Sequence, residues 1–299
     1  MKIIISGASG LVGHALTTAF RAQGHHVLHL VRSRETSSAY TIAWDPSSTW
    51  IDVPALEGAE VVINLNGASI SGGRWTASRR AELRSSRVDS TRLLVDALGQ
   101  LKHKPSMFLS ASAVGFYGSQ GDEILTEATG PGDDFLSLLA SDWETEANRS
   151  AGFGIRMAIL RFGVILAREG GALPQMVRPF RFGLGGRLGN GRQWLSWITM
   201  DDVVGITKFV ISEPRITGPI NLAAPAPVQN AEFARIVGKI LRRPAVVPAP
   251  AFALRLALGE MADSLLLASQ RAYPEKLLRA GYSFQFGELE SALRAILES

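Results

Sequence analysis

KIIISGASGLVGHAL, residues 2–16, is the stretch that decides the fold of this chain. A short apolar run ends in three glycines, Gly7, Gly10 and Gly13, and the segment then becomes amphipathic. G-x-x-G-x-x-G between a strand and a helix is typical of a dinucleotide-binding turn. Gly7 permits the tight turn, Gly10 lets main-chain N–H groups approach a pyrophosphate, and Gly13 lets the helix pack on the strand. A tight turn without a ligand is the alternative.

The start of the first helix is the predicted anion site. Main-chain N–H groups and the helix dipole favour negative charge at that end. The predicted cofactor contacts of this turn are Gly7, Ser9, Gly10, Leu11, Val12 and Gly13.

The end of the second strand predicts which dinucleotide binds. Proteins that bind NAD place Asp or Glu there to accept hydrogen bonds from ribose hydroxyls. This chain has Arg32, Ser33 and Arg34 instead. Because a guanidinium cannot accept a hydrogen bond but pairs well with phosphate, the sequence favours NADP(H), with Arg32 and Ser33 as contacts. The alternative is that Arg32 and Arg34 are only exposed charges.

Strand and helix patterns alternate through the first half of the chain. We predict strands over residues 3–6, 25–32, 40–46, 59–67, 106–113 and 154–163, and helices over residues 11–23, 75–101 and 135–151. This alternation indicates parallel βαβ units that are covered on both faces. The predicted fold class is therefore α/β, a Rossmann doubly wound parallel sheet.

The composition changes after about Leu166. Residues 179–194 are rich in glycine and arginine and are predicted to form a loop; a helix over 201–212, a strand over 218–224 and helices from 230 onward follow. We predict an NADP(H)-binding Rossmann domain over residues 1–166. Residues 167–299 would form a smaller C-terminal α+β substrate lobe on the carboxyl edge of the sheet, where ligands of such sheets bind.

Composition and charge limit the function classes. The chain has 299 residues, no cysteine and a net charge of +4. Without cysteine there is no disulfide, thiolate zinc site or cysteine nucleophile, which fits a reducing compartment. The N-terminus does not read as a signal peptide, no apolar stretch reaches membrane-spanning length, and no basic run is interleaved with aromatic residues. We therefore predict a cytoplasmic protein that binds a small molecule and no metal, nucleic acid or membrane.

Several motifs resemble the extended short-chain dehydrogenase/reductase superfamily, which holds the NAD-dependent epimerases and dehydratases. They are "VINLNGASISGGRWT", "SSRVDSTRLLVDAL", "SASAVGFYG", "LRFGVILAREGGAL" and "PFRFGLGGRLGNGRQWLSWITMDD". They are similar to one subgroup, usually labelled "epimerase family protein", and "SQRAYPEKLLRAGYSFQFGELESAL" resembles the terminal module of that subgroup. The likeness covers nearly the whole chain.

The resemblance implies further contacts with the cofactor. Leu65, Asn66 and Gly67 would lie beside the adenosine ribose and pyrophosphate, Val164 would lie near the nicotinamide, and Glu82, Arg87 and Ser110 complete the expected set. Family members commonly have Ala at the position of Asn66, which either contacts a ligand or only caps a turn. Glu82 and Arg87 either face the cleft or belong to a charged helix surface. The resemblance also implies a homodimer as one assembly.

The acid/base pair of the superfamily is missing. Members that move hydride use Tyr-x-x-x-Lys with a Ser or Thr, because the lysine lowers the pKa of the tyrosine. Alignment puts Leu136 and Ala140 at these two positions. Ser112 matches the hydroxyl that usually holds the substrate carbonyl, and Tyr117 either enters the substrate cleft or packs under the loop. Without a nearby lysine, the pKa of Tyr117 is expected to stay near 10.

Three hypotheses remain open. The first is an atypical NADP(H)-binding reductase acting on a small carbonyl compound, with Ser112, Tyr117 and the loop over residues 187–194 holding the substrate. Its proton would come from water or from a residue not yet identified. The second is a non-catalytic NADP(H) sensor or interaction module, which keeps the nucleotide fold and has lost the acid/base pair. The third is a nucleotide-sugar epimerase, which the missing Tyr and Lys disfavour.

Overall fold

The computed structural model describes residues 1–32 and 38–298. Ser33 and Arg34, which the sequence places at the end of the second strand, lie outside the described residues. The chain forms two compact units: the first comprises residues 1–112, 139–160 and 207–220, and the second residues 113–138, 161–206 and 221–299. The predicted division into domains 1–166 and 167–299 stays a prediction.

The first half of the chain alternates strands and helices. In order these are β1 (Lys2–Ser6), α1 (Leu11–Ala22), β2 (His26–Val31), β3 (Thr41–Asp45), β4 (Trp50–Ile51), α2 (Val53–Leu56), β5 (Val61–Asn64), α3 (Ala77–Arg84), α4 (Ser90–Gln100), β6 (Met107–Ala113), β7 (Ile124–Leu125), α5 (Phe135–Asn148) and β8 (Arg156–Phe162). The apolar runs of β1, β5 and β6 are buried along nearly their whole length, as expected for strands that are covered on both faces.

The second half is richer in helix and in short strands. It contains β9 (Val164–Leu166), α6 (Leu173–Arg181), β10 (Trp194–Leu195), β11 (Trp197–Thr199), α7 (Met200–Ser212), β12 (Gly218–Leu222), β13 (Val228–Gln229), α8 (Asn230–Leu241), α9 (Ala251–Leu258), β14 (Arg271–Ala272), α10 (Glu275–Arg279) and α11 (Leu289–Leu297). In the parts of the chain that are described, no helix is both long enough and apolar enough to cross a membrane.

One eight-stranded sheet dominates the fold, in the order β12-β8-β6-β5-β1-β2-β3-β4. β1 pairs in parallel with both β2 and β5, so the direction of winding reverses between β1 and β5. The prediction of a doubly wound parallel sheet is confirmed. In such sheets ligands bind at the carboxyl ends of the two strands where the winding reverses, which here are the residues that follow Ser6 and Asn64.

Each unit has its own apolar core. In the first, side chains of β1–β6 pack against α4, with Ile4, Trp44, Leu94, Leu98 and Phe108 nearly or fully buried. In the second, α6, α8 and α11 enclose a separate cluster that includes Val177, Trp197, Phe233, Val237 and Leu293. Burying apolar side chains of this size stabilises each unit by about 1.5–3 kcal/mol per residue.

Two predicted elements differ from the structure. The helix expected over residues 75–101 begins at Ala77, where Thr76 accepts a hydrogen bond from the main-chain N–H of Arg79, and a π-helical turn over Ser85–Asp89 interrupts it. The loop expected over residues 179–194 begins later, because α6 continues through Pro179 to Arg181. The loop was predicted from the glycine and arginine content of the whole segment, and the glycines begin only after α6, at Gly183.

Candidate functional site

The turn between β1 and α1 requires two of its three glycines. Gly7 has φ +68°, and a β-carbon there would lie 2.6 Å from the carbonyl oxygen of Leu65. A β-carbon on Gly13 would lie 2.4 Å from the carbonyl oxygen of Gly7 and 2.6 Å from the α-carbon of Ala8. Any side chain would therefore push α1 away from the turn, or the turn away from the loop after β5.

The start of α1 is bare main chain. Gly10 is the N-cap and gives no side-chain hydrogen bond, and the first turn of the helix contains no acidic residue. Ser9 and Gly10 are exposed, and Leu11 and Val12 are half-buried. The first N–H groups of a helix have no acceptor within it. The turn therefore fits the pyrophosphate of a dinucleotide, for which these residues would supply main-chain donors.

A buried hydrogen-bond network fixes the end of β5 beside this turn. Ser6 donates to Asn64 Oδ1 at 2.8 Å and accepts from the main-chain N–H of Leu65 at 3.2 Å. The amide nitrogen of Asn64 donates to Thr91 at 2.7 Å and to Ser110 at 3.3 Å. Ser110 is fully buried, so its hydroxyl belongs to this network. Its role as a cofactor contact stays a prediction.

The loop after β5 continues the network and approaches an arginine. Asn66 donates to Asn64 Oδ1 at 2.9 Å, which supports the turn. Gly67 is exposed, and a β-carbon there would lie 3.0 Å from the guanidinium of Arg87. The loop over Leu65–Gly67 thus lies between the glycine turn and a cation. Contacts of Leu65, Asn66 and Gly67 with a cofactor stay predictions.

Arg87 is a buried cation without an acidic partner among residues 1–32 and 38–298. It is 8 % exposed, and its guanidinium donates to the carbonyl oxygens of Ala68 at 2.9 Å and Leu83 at 3.2 Å. Burial, with the charge of Arg79, lowers the pKa of Arg87 to about 10. The π-helical turn at Ser85–Asp89 carries Arg87 into the protein, and such turns occur often at functional sites.

Glu82 lies in a different environment from Arg87. Its side chain is 57 % exposed and its carboxylate lies 2.5 Å from Arg79 Nη1. The guanidinium of Arg79 also donates to the carbonyl oxygen of Ser69, in the loop after β5. Glu82 therefore offsets the charge of an arginine at the outer part of the loop, and its predicted contact with the cofactor stays a prediction.

Ser112 has an acidic partner that the sequence analysis missed. Ser112 Oγ donates to Glu144 Oε1 at 2.6 Å, and both side chains are buried. Glu144 lies on α5 four and eight residues after Ala140 and Leu136, so the three share one helix face. The signal in the sequence was this acid on a face that is otherwise apolar. The hydroxyl and carboxyl groups form the kind of pair that can hold or pass a proton.

Tyr117 lies in the second unit and has no exposed surface. Its hydroxyl donates to Asn221 Oδ1 at 2.7 Å and accepts from Arg161 Nη1 at 2.9 Å. The expectation that its pKa stays near 10 is wrong, because burial raises the pKa of Tyr117. The structure gives the hydroxyl two internal partners. A catalytic role for Tyr117 stays a prediction.

Glu127 and Lys276 extend the cluster around Tyr117. The Glu127 carboxylate accepts from the main-chain N–H of Asn221 at 3.1 Å and of Lys276 at 3.3 Å. Burial raises the pKa of Glu127 and lowers that of the Lys276 ammonium. Because its polar groups bond to one another and to main chain, this cluster resembles a buried network that fixes a core.

The remaining predicted contacts are Arg32 and Val164. Arg32 follows the last residue of β2 and is exposed. Val164 is half-buried in the second unit, where its main-chain N–H donates to the carbonyl oxygen of Ser196 at 2.8 Å. In the described part of the chain, no group of three or more His, Asp or Glu side chains is arranged to hold a metal ion.

Two family models match the sequence. Residues 3–223 match the NAD dependent epimerase/dehydratase family, and residues 249–296 match a domain of unknown function, DUF1731. The first match covers β1 through β12 and the second covers α9 through most of α11. Together they include both the glycine turn and the C-terminal module.

Curated relatives cover nearly the whole chain. Epimerase family protein ML0860 of Mycobacterium leprae is 41% identical over 291 residues, which are 97% of this chain and 94% of the relative. Epimerase family protein YfhF of Bacillus subtilis is 38% identical over 303 residues, 99% of this chain and 98% of the relative. The similarity therefore extends through both units.

Solved structures share the fold. The crystal structure of human epimerase family protein SDR39U1 (isoform 2) with NADPH has a TM-score of 0.90 and 33% identity, and the match covers 100% of both chains. The nucleoside-diphosphate sugar epimerase from Corynebacterium glutamicum has a TM-score of 0.82 and 35% identity, over 99% of this chain and 58% of the other. UDP-glucose 4-epimerase from Thermus thermophilus, at 14% identity and a TM-score of 0.74, shares the fold alone.

Proposed function

Because this chain belongs to the NAD dependent epimerase/dehydratase family, we propose that it binds NADP(H) at the turn between β1 and α1. We propose further that it reduces a small carbonyl compound. We also propose that the protein is cytoplasmic. A homodimer stays a prediction. The pyrophosphate would lie on the N–H groups of Leu11 and Val12, and the adenosine 2′-phosphate beside Arg32.

Arg87 is the observation that carries this proposal. Burying a cation without an acidic partner costs free energy, and the lowered pKa of Arg87 is the sign of that cost. A buried cation whose pKa is shifted in this way is a candidate for binding an anion. Arg87 packs against Gly67 at the point where the winding of the sheet reverses. A phosphorylated cofactor is the anion that this fold binds there.

Two further facts support the choice of NADP(H). The human relative was crystallised with NADPH, and Arg32 stands exposed at the end of β2, where NAD binders need an acceptor for the ribose hydroxyls. A guanidinium there suits a phosphate. The described residues leave out Ser33, the second predicted contact at this position.

Ser112 and Glu144 give the proposed reductase a route for a proton. Reduction of a carbonyl needs a hydride at carbon and a proton at oxygen, and bound NADPH supplies the hydride. As the structure stands, Ser112 donates its hydrogen to Glu144, so it has none left for a carbonyl oxygen. A carbonyl oxygen beside Ser112 would therefore receive its proton through the Ser112–Glu144 hydrogen bond. The pair would take the place of the Tyr and Lys that other members of the superfamily use.

A non-catalytic NADP(H) sensor is the second candidate. The observation in its favour is α5, where Leu136 and Ala140 are buried apolar residues at the positions of the missing acid/base pair. Tyr117 also has both hydrogen-bonding directions of its hydroxyl occupied. A nucleotide-sugar epimerase, the third hypothesis, would need the same missing pair.

Titration with NADPH and NADH tests cofactor binding. We expect Arg32→Gln to weaken NADPH binding about tenfold, the loss of one charge-assisted phosphate contact, and to leave NADH binding unchanged. Arg215→Gln is the control, because Arg215 is also exposed and pairs with the nearby Glu213. Equal affinities of the unaltered protein for the two nucleotides, or an unaltered NADPH affinity in Arg32→Gln, would contradict the assignment.

A turnover screen separates the reductase from the sensor. NADPH oxidation is followed with a panel of ketones, aldehydes and enones at several pH values. The reductase proposal expects activity that is lost in Ser112→Ala while NADPH binding stays intact. Tight NADPH binding without turnover of any compound would favour the sensor.

A further inference from the structure

The second unit contains a pocket lined by five cations and no acid. Its volume is about 850 Å³, and one wall is a face of α8 while the other is the segment that follows this helix. Small residues, among them Ala234 and Gly238, also line the pocket. The lining cations are Arg187, Arg235, Lys239, Arg242 and Arg243. A volume of this size suits a small-molecule ligand.

Three of these cations have no acidic partner in residues 1–32 and 38–298. Arg235 pairs with Glu232 at 2.6 Å, and Lys239 pairs with Glu290 at 2.7 Å. The other three, Arg187, Arg242 and Arg243, are exposed. No carboxylate among the described residues lies within ion-pair distance of them. The pocket thus gathers about three uncompensated positive charges on one concave surface, and like charges at close range repel one another.

The backbone at Arg242 shows that this charge is kept at a conformational cost. Arg242 has φ +53° at the C-terminal end of α8, a position where glycine is the usual residue. A side chain in this left-handed region costs about 1–2 kcal/mol. Glycine would end the helix without this cost.

The cations are not required to cap α8. The N–H of Arg242 donates to the carbonyl oxygen of Lys239 at 3.3 Å, and the N–H of Arg243 donates to that of Gly238 at 2.9 Å. Both bonds come from main chain. The guanidinium groups of Arg242 and Arg243 are therefore available for a ligand, although they also lie at the negative end of the helix dipole.

We infer that this pocket binds a molecule with adjacent phosphate groups, such as a diphosphate. Guanidinium groups bind phosphate oxygens in pairs and are less strongly hydrated than ammonium groups. Arg187, Arg242 and Arg243 together match the charge of a diphosphate near neutral pH. The inference concerns residues of the second unit and does not rest on the proposed NADP(H) site, which lies in the first.

Calorimetric titration with inorganic pyrophosphate tests the inference. The full chain is titrated without NADP⁺, which itself carries adjacent phosphate groups, and the variants distinguish this pocket from the turn between β1 and α1. We expect Arg242→Gly and Arg243→Gln each to weaken binding about tenfold, and the double variant more. Arg242→Gly also relieves the left-handed backbone, so its melting temperature is expected to stay the same or rise. Arg215→Gln, a matched loss of one charge in the first unit, is expected to bind normally.

Phosphate groups also occur on lipid surfaces, and a second arm of the experiment separates the two sources. Cosedimentation with phosphatidylglycerol vesicles, against phosphatidylcholine vesicles, is measured for the same variants. If the two substitutions weaken pyrophosphate binding, the pocket takes a free ligand. If the protein binds only vesicles and the two substitutions weaken that binding, the pocket takes a lipid headgroup. Binding to neither, or binding that neither substitution changes, overturns the inference. The variants change this pocket alone, so the test can still be interpreted if the protein does not bind NADP(H).

Discussion

The loop after β5 and the cluster around Tyr117 each bury an arginine, Arg87 in the first unit and Arg161 in the second. Arg161 lies 3.6 Å from the centre of the Phe116 ring and donates to the Tyr117 hydroxyl, so a ring face and a side chain satisfy it. Arg87 has main-chain carbonyls, and a ring only at 5.5 Å. The arrangement around Arg161 completes a core, whereas the arrangement around Arg87 leaves positive charge for a ligand.

The same contrast applies to the neighbours of the two arginines. Tyr117 and Asn221 bond to each other, and Glu127 accepts from main chain, so the polar groups of that cluster are used within the protein. Beside Arg87, by contrast, the first helix begins with uncapped N–H groups and exposed glycine. Buried polar groups are usually satisfied. Donors left available around one concave turn therefore distinguish a binding site from a structural network.

The largest effect is expected from Gly7→Ala, which breaks the contact between the glycine turn and the loop that touches Arg87. The new β-carbon would lie 2.6 Å from the Leu65 carbonyl oxygen, so the loop or the turn must move. We expect NADPH affinity to fall by more than about 100-fold. Isothermal titration measures the affinity, and thermal unfolding shows whether the protein is folded.

Gly58→Ala is the matched control for that variant. Gly58 has φ +75°, close to that of Gly7, but no atom lies within 4 Å of its would-be β-carbon. It therefore carries the strain of the left-handed backbone, about 1–2 kcal/mol, without the clash. Similar losses of affinity in both variants would mean that backbone strain, and not the close approach to Leu65, accounts for the effect.

Arg87→Met is expected to have the next largest effect and to change affinity and stability in opposite directions. Removing the cation should weaken NADPH binding about tenfold. The lowered pKa of Arg87 means that the folded protein disfavours its charge. This cost is present at every pH below about 10. It declines as pH rises through that value, because the folded protein then loses the Arg87 proton while the unfolded chain still holds it. Near neutral pH the variant should therefore unfold at the same or a higher denaturant concentration.

Arg161→Met sharpens the comparison, because it removes the other buried arginine. Here the Tyr117 hydroxyl loses a donor and the Phe116 ring loses its cation. We expect the free energy of unfolding to fall by about 1–3 kcal/mol, with NADPH affinity unchanged. If Arg161→Met weakened binding and Arg87→Met did not, the roles assigned to the two arginines would be reversed.

The sequence predicted the glycine turn well because its constraints are local. Strand, turn and helix lie within residues 2–16, and Gly7 and Gly13 meet neighbours close in the chain or in the adjacent strand. The doubly wound parallel class of the large sheet follows from the same alternation of strand and helix, and NADP(H) from Arg32, Ser33 and Arg34 after the second strand. These inferences need only periodicity and hydrogen-bonding chemistry.

The burial of Arg87 and the Ser112–Glu144 pair could not be predicted in the same way. Leu83 and Val88 are both fully or nearly fully buried although they are five residues apart, a spacing that a regular helix does not give and a π-helical turn does. That spacing was the signal for the break. Ser112 and Glu144 are 32 residues apart, and only the packing of α5 brings them together. The sequence left the position of Tyr117 undecided for the same reason, because its partner Asn221 is 104 residues away.

Tyr117→Phe is expected to have the smallest effect on binding, and it tests the contrast most directly. Burial raises the pKa of Tyr117, so the phenol stays protonated at neutral pH and cannot act as a base. Its loss leaves Asn221 Oδ1 and Arg161 each without one partner, which should lower the free energy of unfolding by about 1–3 kcal/mol. NADPH affinity should not change. Chemical denaturation and titration of the same preparation measure both quantities. A variant of normal stability that lost turnover of a carbonyl compound would place Tyr117 in the reaction and end its assignment to the core.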